Sequence, residues 1–398
     1  MRVLISGASI AGPVLAFWLD RYGFDVTVVE RAPALRKTGG HAVDLFRPAI
    51  EISAKMGVLP RIEAHATDTT QLNIYRGDAG RPIRVDLTKI YGAASDRHVE
   101  VMRDDLSEIY YRAADVEYLF GDSITAIGAD GEVTFEHAAP RRFDVVVGAD
   151  GLHSNVRRLA FGDDAGFTQH LGGYLAVASA PKSLVPDGEM VGQVDIGRIA
   201  GIYSAQHLDD ARVLFMFHSS ELQYHHRDVL RQKDILRNAF TGMAPQVDGW
   251  LEQLDTTPAF YFDSITQLQL ERWSRGRVTL VGDAGYCPGP AVGGSTSLAV
   301  VGAYVLAGEL ARARGDYAAA FAAYEQQMRE PVRRSRAFAR KAAKTVVPAS
   351  TAALWAVTRG AQLVSALPTP VSRAVAKLNT TGVRMHDSIP VPDYRSSV

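Results

Sequence analysis

The chain begins with a strand, a glycine turn and a helix, and this order constrains its fold more than any other feature. Residues 3–6 form a short apolar run, Gly7 permits a tight turn, and Gly12 lets the next helix pack close to the strand. Glu30 ends the following apolar run, 23 residues after Gly7, where a carboxylate can accept hydrogen bonds from an adenosine ribose. The pattern predicts a Rossmann-type adenine dinucleotide site, although a structural turn or an NAD site would explain this motif alone nearly as well.

The same turn carries the predicted phosphate contacts. Ser9 stands where the middle glycine of such turns usually lies, and its hydroxyl can donate to a phosphate oxygen. Ile10 and Ala11 lead into the helix, whose first N–H groups and positive dipole end would face the pyrophosphate. Arg31 is counted with the cofactor contacts, but Glu30 beside it would repel a 2′-phosphate.

Two later motifs return the chain to the same cofactor, at residues 145–157 and 278–295. With them, and with Arg103 in VMRDDL, the chain resembles the class A flavoprotein monooxygenases, which are single-component FAD hydroxylases related to para-hydroxybenzoate hydroxylase. Within that group it is most similar to the branch of tetracycline-inactivating enzymes and aromatic-polyketide hydroxylases. The motifs span residues 3 to about 300, and the likeness is diffuse between 171 and 270.

The resemblance implies bound FAD and NAD(P)H as a transient co-substrate. Asp283 would hydrogen-bond the ribityl or pyrophosphate side of FAD, and Arg103 would contact the cofactor from a helix start. Asp150 and Arg157 would serve the pyrophosphate region and the transient binding of NAD(P)H. The other residues that the resemblance assigns to the cofactor are Arg36, His41, Asp44, Pro290, Gly293, Gly294 and Ser295.

Two departures from the family pattern matter: Tyr286 replaces the usual histidine after the GDA triplet, and the segment 293–297 differs more seriously. Ser295 and Ser297 occupy positions that the family usually fills with Gly and Asn. This segment opens a helix whose N–H groups would face the flavin pyrimidine edge. A side chain at Ser295 would crowd the ring or require a costly positive φ.

The fold class that we predict is α/β, with a Rossmann-type FAD-binding domain interleaved with an antiparallel-sheet substrate domain, plus C-terminal helices. At 398 residues and 47% hydrophobic content, the chain can bury a large core and should contain two or more domains. The expected FAD-binding domain is discontinuous, at 1–170 and 271–344. Residues 171–270 would form the substrate sheet, and 345–398 a C-terminal helix and tail.

Charge and cysteine content exclude several classes of function. The formal net charge of −1 gives no general attraction to nucleic acid or to an anionic membrane. A strand already begins at residue 3, which leaves no room for a signal peptide, and the single Cys287 forms no intrachain disulfide, so we expect a cytoplasmic protein. Cys287 lies beside the expected flavin, where a buried packing role and a redox role are both open. His225 and His226 lack metal-ligand spacing, and no metal is expected.

Candidate substrate contacts come from the predicted sheet. They are Gln193, Arg212, Phe215, Phe217 and His218. Strand alternation puts Phe215 and Phe217 on one face, which a hydrophobic core would also explain. The apolar stretch at 345–368 is too interrupted to span a membrane. It would roof the pocket as a helix or pack in a dimer, so a monomer and a weak homodimer are both open.

The implied reaction is hydroxylation of an aromatic or polyketide-like small molecule through a flavin C4a-hydroperoxide, with NAD(P)H and O2. Inactivation of a tetracycline-like antibiotic is one biological result of such chemistry. Two alternatives stay open. A flavin-dependent reductase of the same fold would not insert oxygen, and a flavin-fold protein that sequesters a small molecule would not turn it over.

Overall fold

The chain alternates strands and helices in its first part, forms long strands between residues 168 and 268, and ends mostly in helices. The structure is a computed structural model and describes residues 1–35, 40–77, 80–87, 98–163, 166–186, 188–290, 294–366 and 381–394. The strands are β1 (Arg2–Ser6), β2 (Asp25–Glu30), β3 (Ala42–Leu45), β4 (Gln71–Tyr75), β5 (Ile83–Asp86), β6 (Val99–Met102), β7 (Glu117–Phe120), β8 (Ile124–Ile127), β9 (Glu132–Phe135), β10 (Arg141–Arg142), β11 (Val145–Gly148), β12 (Thr168–Pro181), β13 (Glu189–Asp195), β14 (Arg198–Tyr203), β15 (Asp210–His218), β16 (Phe260–Leu268), β17 (Ser274–Arg275) and β18 (Val278–Leu280). The helices are α1 (Ala11–Arg21), α2 (Arg47–Lys55), α3 (Leu59–Glu63), α4 (Arg103–Tyr111), α5 (Asn155–Phe161), α6 (Val229–Phe240), α7 (Pro245–Glu252), α8 (Asp283–Tyr286), α9 (Ser295–Arg312), α10 (Tyr317–Thr345), α11 (Thr351–Ala366) and α12 (Thr381–Asp387), with 3₁₀ turns at Lys182–Leu184 and Gln253–Asp255.

The first sheet brings the three sequence motifs together. Within the described residues its order is β17-β18-β11-β1-β2-β7, and every neighbouring pair from β18 to β7 is parallel. Val3 pairs with Val26 on one side and Val145 on the other. The central strands are buried along nearly their whole length, as expected when helices cover both faces of a parallel sheet. The carboxyl ends of β1, β11 and β18 therefore meet at one edge, as the sequence predicted.

A second, larger sheet follows, with the order β16-β12-β15-β14-β13-β4-β5 in the described part of the chain. Its strands pair antiparallel, except that β13 pairs parallel with β4. Strands β4 and β5 precede the range predicted for this sheet. The prediction missed them because their short sequences carry no local sign of the sheet they join. The sheet is thus mixed at this edge and larger than the sequence indicated.

Helices cover the second sheet unequally. Helices α6 and α7 pack on one face through Phe240 and Trp250, which form a hydrophobic core with Phe215. On the other face, the C-terminal part of α10 packs on a patch that includes Leu175, Met216 and Ile265, with Tyr261 at its margin. Elsewhere on that face, Tyr203 and Arg212 hydrogen-bond to Ala42 and Gly40 at the start of β3.

The C-terminal helices complete both layers. Helix α9 is buried over nearly all its length, and α10 runs as one helix over the range predicted for it. Helix α11 packs beside β5 with Leu354 buried and Trp355 exposed. Across the described ranges, every helix is too short or too polar to cross a bilayer. The predicted fold class, with its interleaved Rossmann-type and sheet layers and C-terminal helices, is confirmed.

Candidate active site

The turn between β1 and α1 presents backbone to a ligand. Gly7 has φ +107°, and a Cβ on it would lie 2.5 Å from a carbonyl oxygen just after β11. A Cβ on Gly12 would lie 1.9 Å from the Gly7 carbonyl oxygen. Ile10 caps α1 without a side-chain hydrogen bond, and the first turn of α1 contains no acidic residue. The N–H groups after Ser9, including that of Ala11, are therefore available to an anionic ligand.

Glu30 closes the same turn from the end of β2. Its Oε2 accepts a hydrogen bond from the Ala8 N–H at 2.9 Å, and its Oε1 accepts one from the Ala32 N–H at 2.8 Å. These bonds fix the carboxylate beside Gly7, and each oxygen keeps a lone pair for a ribose hydroxyl. Arg31 is exposed at the rim.

Arg103 joins three segments that the sequence assigned separately to the cofactor. Its N–H donates to the His41 carbonyl oxygen at 3.1 Å, and its guanidinium donates to Ser9 Oγ at 3.2 Å. Burial raises the pKa of Asp283, and the positive charge of Arg103 opposes that rise. A half-buried cation thus lies between the phosphate turn and the Asp283 segment.

Asp283 begins α8, directly after Gly282 in a positive-φ conformation. Cys287 follows that helix and is fully buried. Burial raises the pKa of its thiol well above the ordinary value, and the Asp283 charge adds to the rise. The thiol is therefore protonated at neutral pH, which favours packing over a redox or covalent role for this cysteine.

Asp150 and Arg157 connect the motifs to each other. Asp150 accepts a hydrogen bond from the Ser154 hydroxyl, and burial raises the pKa of this carboxyl. Arg157 is fully buried and donates at 2.8 Å to the carbonyl oxygen of Ala284 in the third motif. Arg157 therefore ties the second motif to the third, while contact of either residue with FAD or NAD(P)H stays a prediction.

The start of α9 avoids the backbone strain considered for Ser295. Gly294 takes the left-handed conformation, with φ +63°, and Ser295 is the first helical residue. The strained position thus has no Cβ, so the expected cost at Ser295 does not arise. Ser297 Oγ accepts a hydrogen bond from the Phe46 N–H at 3.0 Å and donates to the Asp44 carbonyl oxygen at 3.1 Å. The serine that replaces the family's Asn therefore fixes α9 to β3.

His41 and Asp44 lie beside this helix start. Burial lowers the pKa of His41 to about 4; Arg103 adds to this effect and Asp44 opposes it. The imidazole is therefore neutral at pH 7. Asp44 Oδ1 lies 2.5 Å from His98 Nε2. The other predicted cofactor residues are Pro290, which is half-buried, and Arg36 and Gly293, which lie outside the described residues.

The larger sheet divides the predicted substrate residues between its two faces. Gln193, Ala200 and Phe215 lie opposite one another across β13, β14 and β15, and Phe217 is two residues further along β15. This face packs against α6 and α7. The structure therefore places Gln193, Phe215 and Phe217 away from the first sheet, in the core position that alternation already allowed for the two aromatic rings.

Arg212 and His218 lie on the opposite face. Arg212 is buried, pairs with Asp210 and donates from Nε to the Gly40 carbonyl oxygen at 3.2 Å. His218 is roughly 20 Å further along β15, at about 3.3 Å per residue, and lines a surface groove of about 570 Å³. The structure brings Arg212, but not His218, to the segment that carries His41.

Sequence reasoning missed two tyrosines on the face of Arg212. Tyr203 Oη accepts a hydrogen bond from the Ala42 N–H at 2.8 Å. Burial raises the pKa of Tyr261 well above its ordinary value, and the Arg103 charge opposes that rise. Alternation relative to Arg212 could have indicated both residues only with the cross-strand register known.

These residues fit FAD. An uncapped helix start next to a half-buried arginine suits a diphosphate, and the fixed Glu30 carboxylate suits ribose hydroxyls. The first turn of α9, which also lacks a side-chain cap, would suit the polar edge of the flavin ring.

Comparisons with known proteins agree with this geometry. The FAD binding domain family matches residues 1–338. An uncharacterized protein of Mycobacterium tuberculosis is 42% identical over 344 residues, which cover 84% of this chain and 91% of that protein. A flavin-dependent monooxygenase of Legionella longbeachae is 35% identical over 342 residues, covering 83% and 85%. The crystal structure of tetracycline destructase Tet(51) is similar with a TM-score of 0.83 and 30% identity over 99% of both chains. With its three motifs gathered at one FAD-compatible edge, the chain belongs to the flavin-dependent monooxygenases of class A.

Proposed function

We propose that this enzyme hydroxylates an aromatic or polyketide-like small molecule, with NAD(P)H as the electron donor and O2 as the oxygen source. The observation that carries the proposal is that Arg103 joins the phosphate turn at Ser9 to the segment carrying His41. Tyr203 and Arg212 of the second sheet hydrogen-bond to that same segment. Similarity to a tetracycline destructase makes a tetracycline the first molecule to test. Inactivation of such an antibiotic would follow from its oxygenation.

When bound, FAD would supply the redox chemistry that takes electrons from NAD(P)H and activates O2. The residues of the chain would hold and orient the cofactor. The α1 turn and Arg103 would bind the pyrophosphate, and Glu30 the ribose. Only one dinucleotide fingerprint is present in the sequence, so NAD(P)H would dock briefly without a Rossmann site of its own.

The face of the second sheet that carries Tyr203 and Arg212 suits a flat substrate. Gly192 and Gly201 lie opposite each other on the face that carries Tyr203 and Arg212. Adjacent glycines project no side chains above the sheet and so form a low strip, which permits close approach of a ligand. A Cβ on Gly201 would lie 2.9 Å from the Met190 methyl group, so that side chain already reaches over this strip. Tyrosine and methionine next to a low strip would contact the face of a fused aromatic system.

The test incubates purified protein with FAD, NADH or NADPH, oxygen, and a panel of tetracyclines and planar polyphenols. The assay follows nicotinamide oxidation, hydrogen peroxide and product mass. Hydroxylation adds about 16 Da, the mass of one oxygen atom, to the substrate at the expense of O2. A gain of hydrogen without oxygen would identify a reductase, and an unchanged bound ligand would identify a sequestering protein.

A pair of variants tests the face assignment. Gly201→Val fills the low strip, so it should raise KM for the accepted substrate by about tenfold, equivalent to about 1.4 kcal/mol of binding. Phe215→Leu lies on the opposite face and serves as the matched control, with KM unchanged. Equal effects of the two variants on KM would contradict substrate binding at this face.

A further inference from the structure

We propose that the segment 385–394, here called the C-terminal strap, crosses α9 and positions the end of that helix that meets FAD. Two contacts at separate glycines fix the strap. The proposed role of the strap rests on the proposed function only in that α9 faces the cofactor. The strap thus makes His386 a positioning residue for the FAD site.

The first contact lies at the start of α9. His386 is 2% exposed, and its Nε2 would lie 2.5 Å from a Cβ added to Gly294. Its imidazole also stacks on the Phe46 ring, with 5.1 Å between centroids and 11° between planes. Phe46 in turn donates its N–H to Ser297 Oγ in the first turn of α9. His386 therefore packs against the helix start directly at Gly294 and, through Phe46, at Ser297.

The next residues attach the strap to α2. Arg47, the first residue of α2, donates its N–H to Asp387 Oδ1 at 3.0 Å, and its guanidinium donates to the Asp387 carbonyl oxygen. Backbone and side chain of one residue thus both bind the strap beside His386. The ring stack is consequently held in register with β3, which ends one residue before Phe46.

The second contact lies near the other end of α9. Tyr394 is fully buried, and a Cβ added to Gly308 would lie 2.3 Å from its ring. Its hydroxyl donates to Glu309 Oε1 at 2.8 Å, and the Tyr304 hydroxyl donates to the Pro392 carbonyl oxygen at 2.9 Å. A glycine in the middle of a helix normally weakens it. Here the absence of a side chain at Gly308 leaves the space that the Tyr394 ring occupies.

The two glycines are 14 residues apart, or about 21 Å along the helix at 1.5 Å per residue. Side chains separated by that distance should act independently unless something rigid joins them. The strap contacts both glycines and so joins them in addition to α9 itself. Loosening it at Gly308 should therefore disturb the α9 start at Gly294.

The experiment compares FAD dissociation constants of full-length variants by flavin fluorescence titration. Gly308→Ala displaces the Tyr394 ring and should weaken FAD binding by about tenfold, although alanine favours the helix. His386→Ala should weaken it similarly, and the double variant should be no weaker than either single variant, because both changes release one strap. Gly249→Ala, on α7 with open space around it, is the matched control and should leave FAD affinity unchanged.

Gly308→Ala with wild-type FAD affinity, or strictly additive losses in the double variant, would overturn the inference. Where Gly308→Ala loses its far-UV circular dichroism, Tyr394→Phe replaces it. That change removes only the hydroxyl, which donates to Glu309 at 2.8 Å and lies 3.4 Å from Gln327 Oε1. It should weaken FAD binding about threefold, a fraction of the typical net value of a hydrogen bond. The readout requires no turnover. An enzyme that binds FAD but oxygenates nothing would refute the proposed function and leave the strap tested independently.

Discussion

Replacing His41 with glutamine should remove an acid-sensitive contribution from the stability of this protein. Burial is the main reason that the pKa of His41 falls to about 4, and the Arg103 charge adds to it. The segment cannot easily move away, because Gly40 donates its N–H to Asp104 at 2.8 Å and His41 accepts from the Arg103 N–H. Folding therefore holds this imidazole neutral where an unfolded chain would protonate it.

The sign and size of the change in the free energy of unfolding follow from proton linkage. An unfolded histidine titrates near 6.5, the ordinary value, and the folded one near 4. Between these values the unfolded state binds more protons, so the free energy of unfolding falls as pH decreases. One pKa unit corresponds to about 1.4 kcal/mol, so acidification from pH 7 to pH 5 should cost about 2 kcal/mol through this residue alone.

Urea unfolding of the FAD-free protein at pH 7 and pH 5 measures the effect. Groups other than His41 titrate alike in both proteins, so the stability of His41→Gln relative to wild type should improve by about 2 kcal/mol at the lower pH. His137→Gln, at an exposed histidine, is the control and should follow wild type. Parallel pH profiles for wild type and His41→Gln would refute the reasoning.

The other predictions concern the joints between motifs. Gly12→Ala places a Cβ 1.9 Å from the Gly7 carbonyl oxygen, so the turn must open and FAD affinity should fall at least about tenfold in a fluorescence titration; unchanged affinity would show that the turn is not the phosphate site. Arg157→Met leaves a buried carbonyl oxygen without its donor and should lower the free energy of unfolding by about 3 kcal/mol in urea, whereas Arg158→Met at the surface should change it by less than about 0.5 kcal/mol. Arg103→Met removes the cation that opposes the raised pKa of Asp283, so that pKa should rise further by NMR titration; a constant value would place the two side chains out of electrostatic range.

Local sequence determined the first sheet and its phosphate turn. Gly12 is required by its close approach to the Gly7 carbonyl oxygen five residues earlier, and Glu30 reaches back to the same turn. Continuous apolar runs identified the buried parallel strands, since such strands need no alternation. The long helix at 317–344 was also evident, and it extends one residue further, to Thr345.

Tertiary structure alone decided which face of the second sheet each side chain occupies and what packs against the start of α9. Alternation showed that Phe215 and Phe217 share a face but not which one, because the buried side of a strand depends on its partners and on the helices that cover it. The joining of β4 to β13 and the seating of His386 on Gly294 link residues more than 90 apart. No local propensity encodes contacts of that range, since they exist only once both layers have packed.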